Sequence, residues 1–268
     1  MWNYLVQSFS INPATGLVDL STPVIIVLVV AGFMVGIINT FAGSGTVITY
    51  SLFMLLGVPP VVANGTIRFG VIMQTLAASA TFWQNGKLDI KKGLWLSVPI
   101  ILGTILGAQI AVHLNQDVFK IVLVVVMLLM LFFMFYDPKK WLQEQLELTQ
   151  KRVSLKQHLM FFTLGLYGGF IHIGVGIFLL AVLVLNAGYD LVKANALKVF
   201  LVFLYSPFAL GVFILNDQVA FSYGLISAVG NVFGGILASH MAIKRGAGFV
   251  RWFLVIVIIF FSIKLLFF

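Results

Sequence analysis

The feature that most constrains this chain is a succession of apolar runs separated by short polar punctuation. The runs fall at roughly 22–41, 45–57, 65–83, 93–113 and 118–136, then at about 156–171, 175–187, 196–214, 222–241 and 249–268. Most are long enough for a helix to cross ~30 Å of hydrocarbon. With 61% hydrophobic and 9% charged residues, against roughly 25% charged in soluble domains, the chain lacks the polar surface a water-soluble fold needs. The fold class that follows is an all-α polytopic membrane protein. Soluble enzymes, nucleic-acid binders and disordered scaffolds are excluded, and the net charge of +8 reads as basic cytoplasmic loops. With no cysteine, thiolate chemistry and cysteine metal sites are excluded too. No basic n-region precedes the first apolar stretch, so no cleavable signal peptide is expected.

Two runs are too short to span. Val47–Leu56 and Ile177–Leu185 with their flanks make about 13 residues, or ~20 Å of helix, and each follows a glycine pair, Gly43/Gly45 and Gly174/Gly176. Such a segment reads as a half-helix or one arm of a re-entrant hairpin, its irregular backbone packed against protein. These four glycines are the expected structural breaks, whereas Gly93, at a helix start, is expected to tolerate alanine. The connector Asp137–Gln157 sets Trp141, Leu142, Leu146 and Leu148 beside Lys139, Lys140, Lys151 and Arg152. It reads either as an amphipathic helix on the membrane surface or as a solvated linker. The division is a membrane repeat over 1–137, a cytoplasmic connector over 138–157 and a second membrane repeat over 158–268.

Sliding the chain by 131 positions lays one half on the other without gaps from about residue 43. Gly43, Gly45 and Gly57 fall on Gly174, Gly176 and Gly188. Ala63-Asn64 falls on Ala194-Asn195, Asn85 on Asn216, Gly93-Leu94 on Gly224-Leu225, and Gly103 on Gly234. Repeats with broken helices in matching positions point to a secondary-transporter architecture with its site at the repeat interface. If the first two segments of each half cross an even number of times, loops 84–92, 137–157, 186–195 and 242–248 share one side. They hold Lys87, Lys91, Lys92, Lys139, Lys140, Lys151, Arg152, Lys156, Lys193, Lys244 and Arg245, and the N-terminus and the other loops hold no Lys or Arg. The positive-inside rule places the basic side in the cytoplasm. The expectation is two inverted repeats of about five segments each, with both termini outside.

All eight acidic residues lie in loops or at segment ends, which disfavours a carboxylate proton relay and leaves no all-protein site for a divalent metal. No cofactor is expected. The cations differ: Arg68 is read as beginning the helix after Asn64, and Lys198 the matching helix after Asn195. A helix N-terminus with an amide and a basic side chain suits a small anion; the competing reading is a snorkelling interfacial anchor. Candidate binding residues at the breaks are Asn39, Ser44, Thr46 and His172; the competing reading for each is close helix packing. Mid-span, Gln74 matches Tyr205 and Gln109 matches His240, while Ser227 and Asn231 lie in the ninth segment.

Helix, glycine break and short helix, followed by Gly57-Val-Pro-Pro-Val-Val-Ala-Asn-Gly-Thr66, resemble the sulfite exporter TauE/SafE family, also called the toluene-sulfonate uptake permeases. The second copy is Gly188-Tyr-Asp-Leu-Val-Lys-Ala-Asn-Ala-Leu-Lys198, and Gln84-Asn-Gly-Lys-Leu-Asp89 resembles the family's polar turn. The chain departs from the pattern in a glycine run thinned to Gly43-Ser44-Gly45 and in His172 and Val175 near the second break. The resemblance implies inner-membrane transport of sulfite, sulfoacetate or other small organosulfonates, and a homodimer as the assembly. No intramembrane enzyme is expected, since no Ser/His pair or His/Asp cluster is set by spacing. A cation or amino-acid transporter and an assembly protein are the other readings.

Overall fold

The computed structural model describes residues 16–114 and 154–267. The apolar run over 118–136 and most of the amphipathic connector, including Trp141 and Lys139, lie outside the described residues. All regular elements described are helices: α1 Thr22–Ala42, α2 Thr46–Leu55, α3 Pro60–Gln84, α4 Ile90–His113, α5 Leu155–Phe170, α6 Val175–Leu185, α7 Leu191–Leu215 and α8 Phe221–Phe267. α8 is two helices merged across a kink at Gly246, whose φ is 72°. Among the described residues five helices are long and apolar enough to cross a membrane: α1, α3, α4, α7 and the stretch Phe221–Val250 of α8. The protein is a multi-pass membrane protein by this measure. α2 and α6, at 10 and 11 residues, are the two short helices expected.

Local sequence accounts for the ends. Pro60 opens α3, where its fixed φ suits the first turn. The Asp89 carboxylate caps α4 by accepting from Lys92 N at 2.9 Å, and Asp190 caps α7 by accepting from Val192 N at 2.8 Å and Lys193 N at 3.1 Å. Ser154 and Gln157 form a reciprocal capping box on α5. The helix therefore takes in the last residues assigned to the connector.

The 131-residue correspondence reappears in these ends. α3 and α7 differ by that number at both termini. Asn85 and Asn216 each close their helix by donating to the carbonyl four residues back, both at 2.8 Å. Gly57 and Gly188 both hold positive φ, 89° and 78°.

The helices interlock across the halves. α1 packs along α8 and α4 along α5, while α3 and α7 pack on each other at the centre. Both outer pairs run on glycines four residues apart. Gly32 and Gly36 of α1 meet α8 at Ser227 and Asn231, and Gly230 and Gly234 of α8 meet Val29 and Phe33 in return. Gly103 and Gly107 of α4 meet Phe162 and Leu166 of α5, and Gly165 and Gly169 meet Ile100 and Thr104. Without a hydrophobic drive between helices in lipid, such close backbone approach supplies the packing energy.

Two groups of loops gather at opposite ends. Val18 N donates to Leu56 O at 3.1 Å, Tyr223 Oη to Val18 O, and Ala220 N to Thr66 Oγ1 at 2.9 Å. At the other end Gln157 Nε2 donates to Asn186 O at 3.3 Å and Tyr189 Oη to Asp89 Oδ2 at 3.0 Å.

Candidate functional site

The site is built from the two helix breaks. α1 stops because Gly43 adopts φ 73°, the left-handed region that only glycine enters freely, and its N–H closes on Asn39 O at 2.8 Å. The second break runs from Ile171, whose backbone is extended, to Gly174 with φ 75°. The breaks press on one another. A Cβ on Gly43 would stand 2.3 Å from the Gly176 Cα, and one on Gly176 2.4 Å from the Gly43 Cα. Gly45, at the start of α2, is packed back against α1, 2.8 Å from Asn39 N and Val35 O by the same measure. All four break glycines thus carry either a left-handed φ or a close approach.

The structure corrects the expected helix starts. α3 begins at Pro60 and α7 at Leu191, so Asn64 and Arg68, like Asn195 and Lys198, lie inside helices and not at their N-termini. The predicted N-terminal anion cradle does not form there. Both cations face the opposite pole. Arg68 donates to Gly168 O at 3.2 Å and Gly169 O at 2.6 Å, in the last turn of α5. Lys198 donates to Asn39 O at 3.2 Å and Thr40 O at 2.6 Å, in the last turn of α1. Each half's cation therefore holds the negative C-terminal end of the other half's broken helix, where orphan carbonyls and the helix dipole both favour positive charge. Arg68 and Lys198 are 0% and 1% exposed. A snorkelling anchor keeps its head in water, so that reading fails.

Around them lie Asn39, Asn64, Gln74, His172 and Tyr205, all buried. Asn64 Nδ2 donates to Phe170 O at 2.8 Å, and its Oδ1 accepts from His172 N at 3.4 Å. Gln74 bridges Asn39 Nδ2 at 3.2 Å and Thr40 Oγ1 at 2.9 Å. Its repeat partner Tyr205 places its hydroxyl 3.4 Å from His172 Nδ1. Arg68 also lies over the Phe213 ring, 4.9 Å from its centroid. Ser44 Oγ, Thr46 Oγ1 and both side-chain atoms of Asn195 are buried with no hydrogen-bond partner. No Asp or Glu appears among the buried residues described.

A cavity of about 10 Å³, room for roughly one water, lies where the breaks meet. Asn39, Gly43 and Thr75 line it from the first half, and His172, Gly176 and Lys198 from the second. Thr40 and Thr75 were missed in the sequence. Thr75 was discoverable, because 64, 68, 71 and 75 form one helical stripe on α3. Other candidates lie away from the site. Gln109 and His240 are exposed on outer helix faces, and Asn231 bonds Ser227 O at 2.9 Å while packing on Gly70. Gly93 is also corrected: an added Cβ would stand 2.6 Å from the Phe200 ring, so the position is a packing contact with α7.

The chain is 29% identical over 254 residues to "Probable membrane transporter protein ORF9" of Sinorhizobium sp., covering 92% of this chain and 94% of that one. It is 24% identical to a "Probable membrane transporter protein" of Haemophilus influenzae, with 93% and 97% covered. "Probable membrane transporter protein YfcA" of Escherichia coli is likewise 24% identical, with 90% and 89% covered. No solved structure matches the chain. The family model described as "Sulfite exporter TauE/SafE" matches residues 28–265, and with nearly the whole chain so matched, this protein belongs to the sulfite exporter TauE/SafE family.

Proposed function

We propose that the protein is an inner-membrane transporter that exports small sulfur-containing anions, of the sulfite or organosulfonate class, through the junction of two inverted repeats. The observation that carries this reading is a pair of fully buried cations, Arg68 and Lys198, at the meeting point of two broken helices with no buried carboxylate beside them. Charge inside a membrane protein is costly and marks an ion or substrate path, and broken helices at a repeat interface are where transporters bind their ligands.

The inverted arrangement draws on the two loop groups. The segment entering α1 joins the end holding Leu56 and Tyr223, whereas the start of α5 joins the end holding Asn186 and Asp89. The repeats then begin at opposite ends. The second end carries Lys87, Lys91, Lys92 and Lys193 and is the cytoplasmic one by the positive-inside rule. The membrane potential, inside negative, contributes ~2.3 kcal/mol per charge per 100 mV towards expelling an anion, so export needs no coupled ion. The cavity is too small for a sulfonate, so the ligand is admitted when the two repeats rock apart about the Gly43–Gly176 contact.

The test is thermal stabilisation of purified protein by sulfite, sulfate, sulfoacetate and taurine, with neutral solutes as controls. A ligand at 100 times its Kd adds about 2.7 kcal/mol of apparent stability. Sulfite or sulfoacetate should raise Tm and the neutral solutes should not. Equal responses to all of them overturn the proposal.

A further inference from the structure

The two breaks correspond in sequence, yet they are not chemically equivalent. At the second break the polar groups are used up. Asn64 is bonded at both ends of its amide, to Phe170 O and His172 N, and Tyr205 meets His172. Arg68 leaves only its Nε unpartnered, and its plane is fixed by two carbonyls and the Phe213 ring.

At the first break Asn39, Thr40 and Gln74 are bonded to one another, but other buried polar groups are left over. Asn195, the repeat partner of Asn64, is 0% exposed with neither its Nδ2 nor its Oδ1 bonded. Ser44 Oγ and Thr46 Oγ1 are likewise buried and unpartnered, and the residues 131 positions on are Val175 and Ile177, which carry no polar group. Lys198 spends two of its three N–H groups on Asn39 O and Thr40 O. On α7 the residues 195, 198, 199 and 202 form one helical stripe, and the last three line the cavity. Asn195 therefore stands on the cavity-facing stripe, one turn before Lys198.

A buried polar group left without a partner costs about 1–3 kcal/mol; Ser44 and Thr46 flank the first break, Asn195 shares the α7 stripe of Lys198, and their four unpartnered atoms need a reason. We infer that the transported anion is seated at the first break, its oxygens bound by Ser44 Oγ, Thr46 Oγ1, Asn195 Nδ2 and the third N–H of Lys198, while the bonded Asn64 and Arg68 at the second break serve as a structural clamp and not as ligands. The seat accepts a small oxyanion and holds one per protein, not one per repeat. This rests on the anion-transport reading above.

The experiment uses full-length protein in lipid nanodiscs, with sulfite and sulfoacetate as probes and two readouts, Tm without ligand and ligand affinity. Thr46→Val, Ser44→Ala and Asn195→Leu each remove an unbonded polar group. Each should leave the ligand-free Tm unchanged or higher and weaken sulfite binding at least about ten-fold. Asn64→Leu, which removes a bonded group, should do the reverse: a lower Tm and an affinity within about two-fold. If the three first-break variants bind sulfite like the wild type, the seat is overturned while the transport reading stands. A variant among the three that fails to fold also counts against it, since its polar atoms were then holding the structure. If the wild type is stabilised by none of the anions, the transport reading falls and the seat goes with it.

Discussion

Gly43 and Gly176 touch backbone to backbone, one from each half of the chain: a Cβ on either would overlap the other's Cα, at 2.3 and 2.4 Å. This contact sets the geometry around it. It brings the C-terminal end of α1 within reach of Lys198 and sets the second break beside the stripe of α3 that carries Asn64 and Arg68.

Gly43→Ala and Gly176→Ala should abolish anion flux in liposomes. Each places a methyl inside the opposing backbone, and Gly43 adds about 1–2 kcal/mol for a side chain at positive φ. Gly211→Ala is the control, because nothing lies within 4 Å of its added Cβ; it should transport normally and lie within about 1 kcal/mol of the wild type. Normal flux through both break variants would show that the contact opens freely.

The two cations should separate in their effects. Lys198→Gln should lower anion affinity at least about ten-fold, because it removes charge from the cavity wall. Arg68→Gln should mainly lower thermal stability, by about 1–2 kcal/mol, as the bonds to Gly168 and Gly169 weaken. Titrating sulfite against each variant beside its melting curve distinguishes the effects. An unchanged affinity in Lys198→Gln contradicts the anion role.

Cysteine labelling tests the topology against a cysteine-free background. Lys91→Cys should react with a membrane-impermeant maleimide only from the cytoplasmic face, and Asp217→Cys only from outside. Labelling of both from one face would refute the inverted repeats.

The outer helix pairs depend on small residues. Gly107→Val would drive a side chain into Leu166 O, 2.0 Å from the added Cβ, and Gly230→Val would meet Val29 O at 1.9 Å. Each should cost at least about 1–3 kcal/mol, seen as a lower Tm in detergent. Melting curves like the wild type's would mean the helices part without loss.

The helices, the breaks and the 131-residue correspondence of the α3 and α7 ends were legible in the sequence because each has a one-dimensional signature. Apolar length marks a span, a glycine pair before a short apolar run marks a break, and matched Gly and Asn at one offset mark a repeat. The cap residues Asp89, Asp190 and Ser154 are local signals as well. The partners of Arg68 and Lys198 were not legible. The polar residues before them resemble a helix start, but Pro60 and Asp190 begin those helices earlier. The cations then sit two turns inside and point across the molecule, and nothing near Arg68 in sequence announces carbonyls 100 positions away. The inequality of the two breaks was equally hidden. Asn64 and Asn195 are the same residue at matched positions, and only packing decides that one finds Phe170 and His172 while the other finds no partner. Hydropathy and glycine act through a residue's own backbone and neighbours, so they can be read along the chain. A buried charge or amide is satisfied by whatever the fold brings to it, and that is settled only in three dimensions.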